Sequence, residues 1–102
     1  MKADCANCPH HACYVHGTNC TGVKDEEIRK AYTPEERKIM EAAAYVEGTY
    51  YSDICRLQET AEFAKQMGYK KLGLAFCIGL HNEARYIVKY FQNQGFEVYS
   101  VC

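Results

Sequence analysis

The sequence predicts an α/β fold with parallel strands, and three observations predict it. Two short apolar runs, Lys71 to Cys77 and Phe96 to Cys102, each have the length and character of a strand buried on both faces. Between them Leu80, Ala84, Ile87, Val88 and Phe91 recur at the helical period, so the segment reads as a βαβ unit with a right-handed crossover. Ahead of these, Cys5, Cys8, Cys13 and Cys20 lie within sixteen residues in the order C-x2-C-x4-C-x6-C, too crowded for scattered core thiols. The organisation expected is a metal-binding head over residues 1–24 and an α/β domain over 25–102, the two forming a single compact unit.

The head shows no apolar periodicity: Ala6, Asn7, Pro9, His10, Asn19 and Gly22 supply neither a strand nor a helix stripe. Asp25 to Lys30 reads as a polar connector. Thr33-Pro34-Glu35-Glu36 is a helix start, with Thr33 able to cap, Pro34 suited to the first turn and Glu36 placed to close a capping box. Ile39, Ala43, Val46 and Tyr50 follow the helical period, with Gly48 as its weak point or end. A second helix, beginning near Ser52 or Asp53, presents Ile54, Leu57, Ala61, Ala64 and Met67 and stops at Gly68. The first strand follows, Ile78-Gly79 turns the chain into a third helix from Leu80 to Gln94, and Gly95 ends that helix before the second strand. Two helices followed by such a βαβ unit describe a Rossmann-like half. A chain that stops on a strand with no closing helix reads as a fragment of a longer α/β protein.

At 102 residues with 48% apolar content and a net charge of −1, the composition is that of one small globular domain. Lys and Arg are scattered, which leaves no basic stripe for nucleic acid or an anionic membrane. The apolar run from Leu72 to Leu80 is too short to span a bilayer, and no signal-peptide stretch precedes the cysteines. A cytoplasmic location is expected. In a reducing compartment seven cysteines, an odd number, favour metal or thiol chemistry over disulfides.

For the head, three chemistries compete. Disulfides fit a cytosolic protein poorly. Zinc sites usually pair two C-x2-C knuckles across a longer insert, and here only Cys5 and Cys8 have that form. Short consecutive loops and a proline directly after a ligand, Cys8-Pro9, are closer to iron-sulfur ligation, so Cys5, Cys8, Cys13 and Cys20 are assigned as ligands of a [4Fe-4S] cluster, with zinc as the alternative. His10, His11 and His16 fit a solvated loop or an outer shell better than ligation. At the carboxyl ends of the two strands stand Cys77 and Cys102, a candidate second site for a cofactor, with Cys77 placed before a helix N-terminus that would favour its thiolate. Cys55, beside the second helix's apolar stripe, reads as core. A phosphatase needs Cys-x5-Arg, but Glu83 stands where that arginine should be and Arg85 is two places too far; no glycine-rich nucleotide motif is present either.

The head Cys5-Ala6-Asn7-Cys8 with Cys13 and Cys20, the run Leu74-Ala75-Phe76-Cys77-Ile78-Gly79-Leu80 with Glu83-Ala84, and Gly95-Phe96-Glu97-Val98 with Ser100-Val101-Cys102 together resemble the domain of unknown function eighteen-forty-seven, a family of cysteine-rich proteins. The resemblance covers essentially the whole chain. It implies metal binding and adds no reaction; it also implies that this sequence corresponds to the N-terminal portion of longer members carrying further cysteine and histidine motifs. The function expected is metal binding in a redox or sulfur-handling role, with a zinc-stapled interaction domain as the alternative.

Overall fold

The computed structural model describes residues 4–102, and the chain divides into two units, one up to Pro34 and one from Glu35 onward. In the first unit a 3-10 turn at Cys5–Asn7 leads to two short helices, α1 (Ala12–His16) and α2 (Asp25–Ala31). The polar stretch at Asp25 is therefore helical rather than a connector. Its charges explain why: Asp25, Glu26 and Glu27 occupy the first turn, Arg29 and Lys30 the last, and Glu26 meets Lys30 at 2.8 Å one turn on. Both placements favour the helix dipole, and the pair adds an i,i+4 contact.

The second unit holds α3 (Pro34–Tyr50), α4 (Arg56–Gln66), β1 (Lys71–Ala75), α5 (His81–Asn93) and β2 (Glu97–Val101). α3 runs through Gly48 to Tyr50, and the chain turns only beyond it, where Ser52 takes a left-handed φ of 64°. That turn delays the next helix to Arg56, three or four residues later than its apolar stripe suggests. Cys55 becomes the N-cap of α4, and its backbone N–H donates to Gln58 Oε1 at 2.9 Å. Cys55 is thus exposed at a helix end and not core.

Both α4 and α5 end as their glycines predict. Gly68 (φ 74°) donates to the Lys65 carbonyl and Tyr69 to that of Ala64; Gly95 (φ 92°) donates to Gln92 and Phe96 to Phe91. These are paired Schellman closures, each sealed by an aromatic contact: Phe63 with Tyr69, and Phe91 with Phe96. Each closure delivers the chain directly into a strand.

β1 and β2 pair in parallel, from Lys71 opposite Glu97 to Ala75 opposite Val101. Registered residues share a face, so Leu72 and Val98 lie together, and both pack on a core of Ala61, Ala64, Phe91 and Phe96 with Leu57, Ile87 and Tyr90. α4 and α5 therefore cover the same face of the sheet. Leu80, expected on the inner face of α5, is instead exposed in a 3-10 turn at Ile78–Leu80, and α5 proper begins at His81. Of the stripe read for α3, Val46 is buried, whereas Ile39 and Ala43 are exposed. Among the described residues no helix is long and apolar enough to cross a membrane.

Candidate functional site

The head is built from polar turns. The 3-10 turn closes with the Cys8 N–H donating to the Cys5 carbonyl at 3.2 Å, which holds the first two cysteines of the C-x2-C pair on one turn. Asn7 braces it through its amide, which donates to both oxygens of Asp4 at 3.0 and 3.1 Å. Pro9 restricts the residue before it to extended backbone, and Cys8 lies at φ −74°, ψ 116°. His11 then takes a left-handed conformation (φ 47°) and starts α1, which carries Cys13. Gly17 (φ 66°) closes α1, and its N–H donates to the Cys13 carbonyl at 3.1 Å. Around Cys20 the chain is knotted by Asn19: its amide donates to the Val23 carbonyl at 2.7 Å, and its carbonyl oxygen accepts from Gly22 N–H and the Thr21 hydroxyl, each at 3.0 Å.

This sharp reversal after Cys8 has a chemical consequence. The backbone N–H groups of His10 and His11 turn back onto the Cys8 sulfur and hold its thiol below the ordinary value, because they stabilise the thiolate more than the thiol. The residue-level cue in the sequence was Cys8-Pro9; the role of the two histidines' backbone, as opposed to their rings, had no side-chain signature to reveal it. Cys5, Cys13 and Cys20 are exposed, Cys8 is half-buried, and all four are free thiols. Among the described residues no three Cys, His, Asp or Glu side chains are gathered so as to hold a metal ion. The 3-10 turn brings Cys5 and Cys8 onto one segment, and among the described residues the four sulfurs are not gathered at a common point.

At the sheet rim Phe76 N–H donates to the Val101 carbonyl at 3.0 Å, so the parallel pairing continues one step past β1. Extending the register sets Cys102 beside Phe76, with Cys77 one residue farther on. Cys77 is still extended (φ −83°, ψ 144°), and side chains alternate along a strand. The two thiols therefore share a rim but belong to opposite faces, Cys77 to the one that α4 and α5 leave open. Both are exposed. The helix-terminus argument made for Cys77 moves to His81, since the segment directly after Cys77 is the three-residue 3-10 turn and α5 starts beyond it. The His81 ring lies 6.1 Å from that of Phe76.

An uncharacterized protein of the archaeon Methanocaldococcus jannaschii is 48% identical over 99 residues, which is 96% of this chain and 50% of that protein. The chain thus spans about half the length of the curated relative it matches. No solved structure matches it significantly. The pattern of the family described as protein of unknown function (DUF1847) matches residues 16–102, so it takes in Cys20, Cys55, Cys77 and Cys102 and starts after Cys5, Cys8 and Cys13. Over most of its length, from the end of α1 to the last strand, this chain belongs to the DUF1847 family.

Proposed function

We propose that this chain is a metal-binding protein whose head holds a [4Fe-4S] cluster through Cys5, Cys8, Cys13 and Cys20, in a redox or sulfur-handling role. The observation that supports it is the four-thiol head itself: soft donors at short consecutive spacings, with backbone N–H groups already directed at one sulfur. Thiolate, not thiol, is the ligand, and hydrogen bonds to the sulfurs are among the features that tune cluster potentials. The donor set fits such a cluster. It also fits tetrahedral zinc, which would make the head a structural staple for an interaction domain without catalysis. At the other end of the chain, Cys77 and Cys102 form the candidate second site, with Cys77 the thiol available on the open face. The βαβ unit is read as part of a Rossmann-like sheet.

Strictly anaerobic purification followed by metal and acid-labile sulfide analysis tests the reading. A cluster gives a brown protein whose visible absorption bleaches with dithionite, and Cys8→Ser or Cys20→Ser abolishes it. Stoichiometric zinc without labile sulfide, in a colourless protein, replaces the cluster with the staple. Neither metal bound at stoichiometry removes the head from consideration as a metal site.

A further inference from the structure

The sheet is covered on one side only. Leu72 and Val98 meet the helices, whereas the alternate residues, Gly73 and Ala75 on β1 with Tyr99 and Val101 on β2, form the opposite face. Tyr99 is 58% and Val101 65% exposed, and a Cβ built on Gly73 meets nothing within 4 Å. Parallel strands are found almost exclusively with both faces covered, because the crossovers that join them are helices laid across the sheet. A two-stranded sheet also leaves each strand one unpaired edge of N–H and C=O groups. A shallow hollow of about 280 Å³ lies over this face, its lining including Gly73, Ala75, Tyr99 and Val101.

We propose that this open face and the free strand edges seat a further polypeptide, equivalent to the half of the Methanocaldococcus relative that this chain does not match. The occupant adds at least one parallel strand to the edge of β1 or β2 and lays the apolar side of a helix over Ala75, Tyr99 and Val101. Three features select it over other partners. The relative carries as much chain outside the matched region as within it. The exposed face is apolar in its middle and carries a Lys71–Glu97 pair, 3.6 Å apart, at the end where β1 begins, so it presents no net charge to draw an ionic ligand. A sheet of two strands is short of the four to six that commonly make one up. The inference is independent of what the head binds.

Amide hydrogen exchange on this chain and on the full-length relative tests it. In the relative, the segments aligned with residues 71–75 and 97–101 should exchange about tenfold more slowly, or slower still, than β1 and β2 do here. Lysine in place of Tyr99 should leave the melting midpoint of this chain where it is, and lysine at the aligned position of the relative should lower that protein's midpoint by several degrees. Equal exchange in the two proteins, or a midpoint in the relative that does not move, overturns the proposal. So does a dimer of this chain, by light scattering, that protects the same strands and dissociates on Tyr99→Lys, because the seat would then belong to a second copy.

Discussion

Cys8 shows how a single reversal of backbone sets the chemistry of a side chain. Proline at position 9 and the left-handed His11 aim two N–H groups at one sulfur, and the thiolate is favoured with no cationic side chain required. Iodoacetamide should therefore alkylate Cys8 of the metal-free protein at lower pH than it does cysteine in an unstructured peptide, and metal loading should protect it. The sign is that of a depressed pKa: the contribution to head stability is present above the ordinary thiol value and is lost as pH falls through the lowered one. Tyr99 runs the opposite way. Its hydroxyl donates to Glu97 on the open sheet face, and the neighbouring carboxylate raises the phenol above its ordinary value. That contact persists below the ordinary phenol range and is lost as pH rises through the raised value. Spectrophotometric titration should show one late-ionising tyrosine that returns to the ordinary range in Glu97→Ala.

Among the elements, the two Schellman closures do the most to shape the second unit, since each turns an α-helix into a strand within a few residues. No neighbour crowds Gly68 or Gly95, so an added methyl is opposed by backbone conformation alone. Gly95→Ala, at φ 92°, should cost about 1 to 2 kcal/mol in urea unfolding. Gly48 is the useful contrast. It sits inside α3 without a left-handed φ and with nothing within 4 Å, so Gly48→Ala should stabilise the protein by up to about 1 kcal/mol in the same measurement. α2 makes the complementary point about local signals: its charges follow the dipole although it buries none of its residues, so it carries no apolar stripe to mark it as a helix.

At the scale of the whole molecule, α4, α5 and the two strands converge on a small core. The residues buried among those described are Val46, Ala61, Ala64, Ala84, Phe91 and Phe96, and three of these are alanines. The two phenylalanines are therefore the largest side chains among them. The Phe91 ring contacts Phe96 edge-on at 6.2 Å within a cluster joined by Leu72 and Val98, and so links α5 to both strands. Phe91→Ala should cost about 3 to 5 kcal/mol, a large share of the stability of a domain this size, read as a strong drop in the urea midpoint by circular dichroism. Ile39, Tyr99 and Val101 remain exposed although their patterns mark them as core, which is the residue-level trace of a sheet and a helix with faces uncovered.

By itself, the sequence determined the kinds of elements and much of their limits. Pro34, Gly68 and Gly95 mark where helices start and stop because backbone conformation at those points is set by the residue itself, and the stripes of α4 and α5 name the residues that became the core. The close spacing of the four head cysteines is a local property of the chain and is visible without the fold. Tertiary structure decided what depends on the path between residues. It turned the chain at Ser52 and so moved Cys55 from core to helix cap; it interposed a 3-10 turn between Cys77 and α5; and it set the strand register that puts Cys77 and Cys102 one step out of phase. It also folded the backbone N–H groups of His10 and His11 onto the Cys8 sulfur, a main-chain to side-chain contact that no side-chain pattern encodes. Periodicity reports that a residue has an apolar face to bury, but only the path of the chain determines whether a neighbour arrives to bury it.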